Sequence, residues 1–485
     1  MATTTTTTGS TVLEPLSTAF QLPIDQVNFV VCQLFALLAA VWFRTYLHSS
    51  KTSVLIRHLV ATLLGLYLAL FCFGWYALHF LIQSGISYSI MLIVGVESMH
   101  KYCFVFALGY LTLCQITRVY IFDYGQYSAD FSGPMMIITQ KITSLAFEIH
   151  DGMFRKEEEL TTSQRTLAVR SYQLKLSEAN GKEEIKYEQT EPSPNTAVVQ
   201  KLFVCGFSLS IYMTATKILP VDYNIDDSFC TTASVPTRIA YLYLSLLAAR
   251  PKYYFAWTLA DAINNAAGFG FQGYDRDGAP CWDLISNLRI RNIEFSTSFK
   301  MFIDNWNIQT ALWLKRVCYE RASFSPTVQT FLLSAIWHGV YPGYYLTFLT
   351  GILMTLAARN LRNNLRHHFL GSPNIKSGYD AVTWLATQMA ISYTVAPFVL
   401  LSVKPSLRFY SSWFYCLHVA CITVLLILPA RSCQKSCKEQ EYLQHTWGKK
   451  LDKVEENHSA RDSSAINNNC RQKQETSWRH STLKQ

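Results

Sequence analysis

The stretch Ser334-Ala335-Ile336-Trp337-His338-Gly339-Val340-Tyr341-Pro342-Gly343-Tyr344-Tyr345 sits inside 37 consecutive positions, 322–358, that carry no Lys, Arg, Asp or Glu. A helix rises about 1.5 Å per residue and the hydrocarbon core of a bilayer is about 30 Å thick, so an uncharged run of this length is expected in the membrane. At that rise it measures roughly 55 Å, too long for one ordinary span. Pro342 removes a backbone donor and Gly343 permits conformations that end a helix, so two helices are expected to meet there. His338 then lies just before a helix break at membrane depth. Irregular backbone survives at that depth only against protein or a water-filled cavity, and an ionisable side chain there points to function. The competing reading of His338 is structural, a hydrogen bond between helices.

The same conclusion follows from composition. Half of the 485 residues are apolar, 14% are aromatic and 15% are charged, against roughly 25% charged in soluble domains. This excludes a soluble multi-domain protein. The net charge of +9 is therefore read through its distribution among loops, not as a nucleic-acid footprint. The 13 cysteines are scattered, most of them singly in apolar runs, and the closest pair, Cys433 and Cys437, lies in a polar tail. No metal-binding or redox spacing is present, so the cysteines are expected to be reduced and no metal is expected. The N-terminus opens on a threonine run without a basic region, so the first apolar helix is expected to act as the targeting signal.

Along the chain, a polar lead (1–26) precedes a membrane domain (27–430) with a charged insert (152–195), and a polar tail (431–485) follows. Residues 27–43 form a first span. Residues 59–96 lack Lys, Arg, Asp and Glu over 38 positions, long enough for two passes with Gln83-Ser84-Gly85 as the turn. A fourth pass runs from Tyr102 to Phe122. The segment Asp130 to Lys141, continuing to Asp151, mixes helical apolar periodicity with isolated charges, as an interfacial or bundle-facing helix or a substrate-contacting one would. Between Gly152 and Asn195 the composition turns to Lys, Glu, Gln, Ser and Thr, a solvated flexible loop. Arg250 and Lys252 read as a basic loop between spans, or as a buried pair. Further spans are expected at 381–403 and 409–430, giving an all-α polytopic protein of nine to eleven spanning or re-entrant helices.

Basic clusters at 359–366 and 431–438 are separated by two spans and so fall on one side, the cytosol by the positive-inside rule. Lys315, Arg316 and Arg321 join them if the central stretch is two helices. These cations either set topology or attract phosphates. The sequon Asn457-His458-Ser459 then falls on the wrong side for glycosylation.

No GxSxG, HExxH, P-loop or dinucleotide fingerprint occurs. Acid/base chemistry remains: a neutral imidazole takes a proton from an alcohol while a side-chain amide holds an oxyanion or orients the hydroxyl. Trp337-His338-Gly339 followed by Tyr341-Pro342-Gly343-Tyr344-Tyr345, and preceded by Trp306-Asn307 and Lys315-Arg316, resembles the membrane-bound O-acyltransferase family in its lysophospholipid acyltransferase branch. Asp130 to Lys141, Arg250 to Trp257 and Gly268-Phe269-Gly270 extend the resemblance over nearly the whole chain. It implies helices around an intramembrane tunnel in the endoplasmic reticulum, with acyl-CoA arriving from the cytosol and a lysophospholipid from the bilayer. It also implies His338 as general base and Asn307 positioning the hydroxyl or stabilising the oxyanion, without a cofactor or covalent acyl-enzyme. Trp306, Trp337, Lys315 and Arg316 are the accompanying substrate-binding expectations. Phosphatidylethanolamine-type acceptors and an unsaturated acyl-CoA are its best suggestion.

The chain departs from the family's pattern after Arg170, where Leu167-Ala168-Val169-Arg170 runs directly into Ser171-Tyr172-Gln173 and an expected apolar segment with a Gly-Pro is missing. A variant lacking one membrane-associated element, with impaired activity, is therefore an alternative. So is a transporter or channel built around His338.

Overall fold

The computed structural model describes residues 7–48, 51–122, 130–168, 192–275 and 277–429. The tail with its cysteine pair and sequon, the bulk of the 152–195 insert and the junction after Arg170 lie outside the described residues. The only described strands form a small antiparallel hairpin, Gly273–Tyr274 with Pro280–Cys281. The other described elements are helices. The principal helices are α1 (Ile24–Tyr46), α2 (Val54–Phe73), α3 (Leu78–Ile93), α4 (Met99–Thr117), α5 (Ser132–Met153) and α6 (Asn195–Ile218). They are followed by α7 (Val235–Ala249), α8 (Pro251–Ala266), α9 (Phe299–Asn305), α10 (Ile308–Leu314) and α11 (Pro326–His338). Last come α12 (Pro342–Leu365), α13 (Pro373–Leu400), α14 (Val403–Ser412) and α15 (Cys416–Ile427).

Among the described residues, four helical stretches are long and apolar enough to cross a membrane: Ile24–Tyr46, Val54–Ile93, Met99–Ile121 and Asn195–Ile225. The pair α14 and α15, bent by 71°, makes a fifth if taken as one broken span. The protein is thus a multi-pass membrane protein. The count of nine to eleven is not established by length and composition. The central helices turn polar positions such as Thr347, Thr350, Asn360 and Asn364 inward, which lowers the hydropathy of α12 while satisfying the bundle interior.

One expected turn falls elsewhere and one expected span is broken. The run from Val54 to Ile93 is a single candidate span of 40 residues, and its irregularity is a 3₁₀ segment at Gly74–Ala77. Gln83 and Gly85 are in mid-helix: Gln83 is fully buried and donates to the Ala107 carbonyl and the Thr139 hydroxyl. Gly74 breaks the helix because its φ of +57° suits glycine and the Thr8 carbonyl occupies the place a Cβ would take. Residues 7–10 of the polar lead are packed against this kink, with Ser10 N–H on the Phe71 carbonyl and Asn28 Nδ2 on the Ser10 carbonyl. The expected last span, 409–430, is likewise broken, between Ser412 and Cys416.

The described part of the charged insert, up to residue 168, is tied to the bundle. Thr161 and Ser163 donate to the Glu320 carboxylate, and Arg155 pairs with Asp151. Arg250 is also buried, not a loop cation: it pairs with Glu294 at 2.7 Å and meets Gln388 at 3.1 Å, while Lys252 is exposed. Burying a guanidinium requires such partners. The ten described cysteines are free thiols.

Two larger hydrophobic cores organise the bundle. One gathers Leu242, Tyr254, Phe299, Phe302, Met354, Ile391 and their neighbours from α7, α8, α9, α12, α13 and α14. The other gathers Leu111, Met135, Phe147, Trp313, Leu333 and Trp337 from α4, α5, α10 and α11. The chain crosses between them twice in this region. It passes from Phe302 to Trp313 through Trp306-Asn307, and from Trp337 to Met354 through His338 and the Gly339–Tyr341 break. Both residues singled out for chemistry therefore lie at crossings between the cores.

Candidate active site

His338 is the last residue of α11, and Pro342 opens α12 after three non-helical residues. Gly339 has a φ of +133°, so a side chain there is strained, and Gln115 donates from α4 to the Trp337 carbonyl at 3.2 Å. This satisfies one of the carbonyls that a helix end leaves without a partner. The His338 ring stacks on Phe348 at 5.1 Å and meets Phe398 edge-on at 5.2 Å, with Tyr344 at 5.9 Å. Among the described residues neither ring nitrogen of His338 has a hydrogen-bond partner. The expected structural role, a hydrogen bond across helices, is thus absent, and the ring is oriented by aromatic packing with its nitrogens unused.

Asn307 occupies the other crossing in the left-handed conformation, φ 49° and ψ 54°, which asparagine tolerates better than most residues. It stands at the N-terminus of α10 but does not cap it with its side chain. Asn287 does so from a neighbouring loop: its carbonyl takes Ile308 N–H at 2.9 Å and its Oδ1 takes Gln309 N–H at 3.1 Å. The donors of a helix start need acceptors, and their capture by Asn287 leaves the Asn307 side chain available. Asn307 Oδ1 accepts from the Thr310 hydroxyl at 2.9 Å, and Thr310 Oγ1 accepts from Gln140 Nε2 at 2.8 Å.

The loop carrying Asn287 is held from below. Lys201 Nζ donates to Asp261 at 2.8 Å and to the Trp282 carbonyl at 2.6 Å, and Ser286 donates to the same carboxylate at 2.5 Å. Further along, Leu288 bridges to Trp306 and Arg289 N–H meets the Asn305 carbonyl. Trp306 faces Tyr253, Tyr254 and Trp257 at 5.5 to 6.0 Å and stacks on Phe302.

Helix α5 connects the two crossings. Its Met136 carbonyl takes Trp337 Nε1–H at 3.1 Å, Gln140 supports Thr310, and Thr143 takes Trp313 Nε1–H at 3.0 Å. Positions 136, 140 and 143 lie on one helix face, and four residues of helix advance about 6 Å. The supports of Trp337, next to His338, and of Thr310, next to Asn307, are thus that far apart along one rigid element. The segment from Asp130 to Asp151 is bundle-facing. Gln140, Thr310, Gln115 and Asn287 were not singled out by sequence. A readable signal existed for Gln140 and Thr143, as polar residues on the apolar face of a membrane helix.

Of the cations expected to flank the site, those at 315–321 are paired. Arg316 meets Glu148 at 3.7 Å, half-exposed Lys315 meets Glu320 at 3.5 Å, and Arg321 clamps Asp151 with both guanidinium nitrogens.

The chain is 70% identical to membrane-bound glycerophospholipid O-acyltransferase 2 of Gallus gallus over 518 aligned positions, covering 99% of this chain and 100% of the relative. The chain belongs to the membrane-bound O-acyltransferase family. The family's model matches residues 183–400, which contain both crossings. Identity to the Homo sapiens protein of the same name is 69%, with the same coverage. Lysophospholipid acyltransferase 6 of Drosophila melanogaster is 38% identical over 462 positions, covering 87% of this chain and 63% of the relative. Membership makes this chain an O-acyltransferase. An aligned length of 518 against 485 residues also means that the glycerophospholipid relatives carry positions absent here.

Proposed function

We propose that this chain transfers an acyl group from acyl-CoA to the free glycerol hydroxyl of a lysophospholipid, with His338 as general base and Asn307 acting on the reacting oxygen. The observation that carries the reading is the pair of core crossings, at which an imidazole and an amide each keep a nitrogen without a partner among the described residues. In the proposed reaction a neutral His338 nitrogen takes the hydroxyl proton as the oxygen attacks the thioester carbonyl. The tetrahedral oxyanion collapses with breakage of the C–S bond, and the imidazolium returns its proton to the departing thiolate. The names of the relatives support a lysophospholipid acceptor. Lysophosphatidylethanolamine is favoured, with lysophosphatidylcholine and lysophosphatidylserine as further acceptors and an unsaturated acyl-CoA as donor.

The proposed setting is the endoplasmic reticulum membrane, with a tunnel joining the cytosolic face to the bilayer and the C-terminus cytosolic. Arg359, Arg362 and Arg366, which have no ion pair among the described residues, suit the phosphates of CoA better than the paired Lys315 and Arg316. Trp306 and Trp337 are proposed to shape the acyl path from opposite cores. The positions missing relative to the longer homologues are proposed to fall after Arg170, where the family pattern is interrupted.

Microsomes expressing the chain are expected to incorporate labelled oleoyl groups from oleoyl-CoA into lysophosphatidylethanolamine with stoichiometric CoA release. His338→Ala is expected to abolish both. Full activity in that variant removes His338 from the mechanism, and acceptor transport without CoA release would point to a transporter.

A further inference from the structure

The two roles left open for Asn307 differ in which end of its amide faces the substrate. To orient an attacking hydroxyl as a hydrogen-bond acceptor the amide must present Oδ1. To hold an oxyanion it must present the two N–H bonds of Nδ2, since only a donor stabilises developing negative charge. We infer that Gln140 and Thr310 are positioning residues that lock Asn307 as a donor, so that it acts on the tetrahedral oxyanion and not as the acceptor for the attacking hydroxyl. This rests on the proposed role of Asn307 in acyl transfer.

The direction follows from the order of the hydrogen bonds. Gln140 Nε2 can only donate, so Thr310 Oγ1 accepts at 2.8 Å and its own proton is free to point onward. It points at Asn307 Oδ1, 2.9 Å away. The Asn307 oxygen is therefore engaged by the protein, and Nδ2 has no partner among the described residues. All three groups are fixed: Gln140 and Thr310 are 7% and 5% exposed, and the Asn307 backbone is set by the Asn287 cap. A buried chain of this kind polarises each successive bond and resists reorganisation when charge appears. Gln140 lies one helical turn from Met136, whose carbonyl holds the Trp337 indole, so the same helix face sets the amide and the residue before His338.

The test is steady-state kinetics with oleoyl-CoA and lysophosphatidylethanolamine on wild type, Thr310→Ser, Thr310→Val, Asn307→Asp and Asn307→Ala, each checked for monodispersity by fluorescence-detected size exclusion. Thr310→Val keeps the shape and removes the hydroxyl. It is expected to lower kcat about ten- to a hundredfold, less than the loss of an oxyanion donor itself, with KM within twofold. Thr310→Ser should retain most of the activity. Asn307→Asp keeps acceptor oxygens and removes the donor, and is expected to be as inactive as Asn307→Ala. Activity in Asn307→Ala would overturn the assignment of Asn307 itself. With Asn307→Ala inactive, an active Asn307→Asp, a wild-type kcat in Thr310→Val, or equal losses in Thr310→Ser and Thr310→Val would each overturn the donor lock alone. Asn307→Asp decides the matter if Thr310→Val fails to fold.

Discussion

Gly343 is the position at which a single methyl group should disturb both the packing of α12 on α13 and the wall around His338. Its N–H donates to the Leu401 carbonyl at 2.7 Å, tying the start of α12 to the end of α13. A Cβ built at Gly343 would stand 2.8 Å from the Leu401 oxygen and closer still to the Pro397 oxygen. Both are backbone atoms that no side-chain rotation moves aside, so Gly343→Ala forces the two helices apart by about 1 Å to restore an ordinary contact of roughly 3.5 Å. Overpacking costs about 1–3 kcal/mol and the weakened hydrogen bond about 1 kcal/mol more. The catalytic penalty is expected to be larger than the stability penalty. Tyr344 on α12 and Phe398 on α13 contact each other at 4.4 Å and both wall His338, so their separation re-aims the imidazole. A displacement of about 1 Å at a reacting group can cost about a hundredfold in rate. The assay is thermal-shift size exclusion for stability and CoA release for kcat, with Gly85→Ala as control, because nothing lies within 4 Å of a Cβ at Gly85. If Gly343→Ala matches Gly85→Ala in both, the close approach of the two helices does not position the site.

Further outcomes follow from the buried ion pairs. Arg250→Lys is expected to lower thermal stability markedly, because an ammonium cannot reach Glu294 and Gln388 together in the guanidinium's geometry. Adding Glu294→Gln to it should recover part of the loss, which thermal-shift size exclusion measures. Lys201→Met strands the Asp261 carboxylate, 7% exposed, at a cost of about 3–5 kcal/mol, and should speed hydrogen exchange over residues 282–289. Unchanged exchange there would separate this ion pair from the loop that caps α10. Lys315→Gln, removing a half-exposed pair, is expected to shift stability by no more than about 1 kcal/mol, with acyl-CoA KM testing any phosphate contact.

The break after His338 was legible in the chain because proline acts on its own backbone, and α12 begins at Pro342; the glycine that leaves the helix is Gly339, whereas Gly343 is helical. The same reasoning misplaced the turn at Gln83-Ser84-Gly85. A glycine with empty space around it stays helical, whereas Gly74 breaks because residues 8 and 9, far away in the chain, pack into it. Arg250 illustrates the same limit for charge: its burial depends on Glu294 and Gln388, 44 and 138 residues away.

The amino-acid sequence by itself determined the membrane setting, the uncharged central run and the helix break after His338, since these rest on composition and on local backbone chemistry; Asn307 was singled out through the family resemblance. Only the tertiary structure decided that both residues stand where the chain passes from one core to the other. It alone paired Lys315 and Arg316 with carboxylates, moved the capping of α10 to Asn287, and aligned Gln140 with Thr310 to orient an amide. Each of these is a contact between residues far apart in the chain, and such contacts carry no periodicity or spacing for a sequence to display.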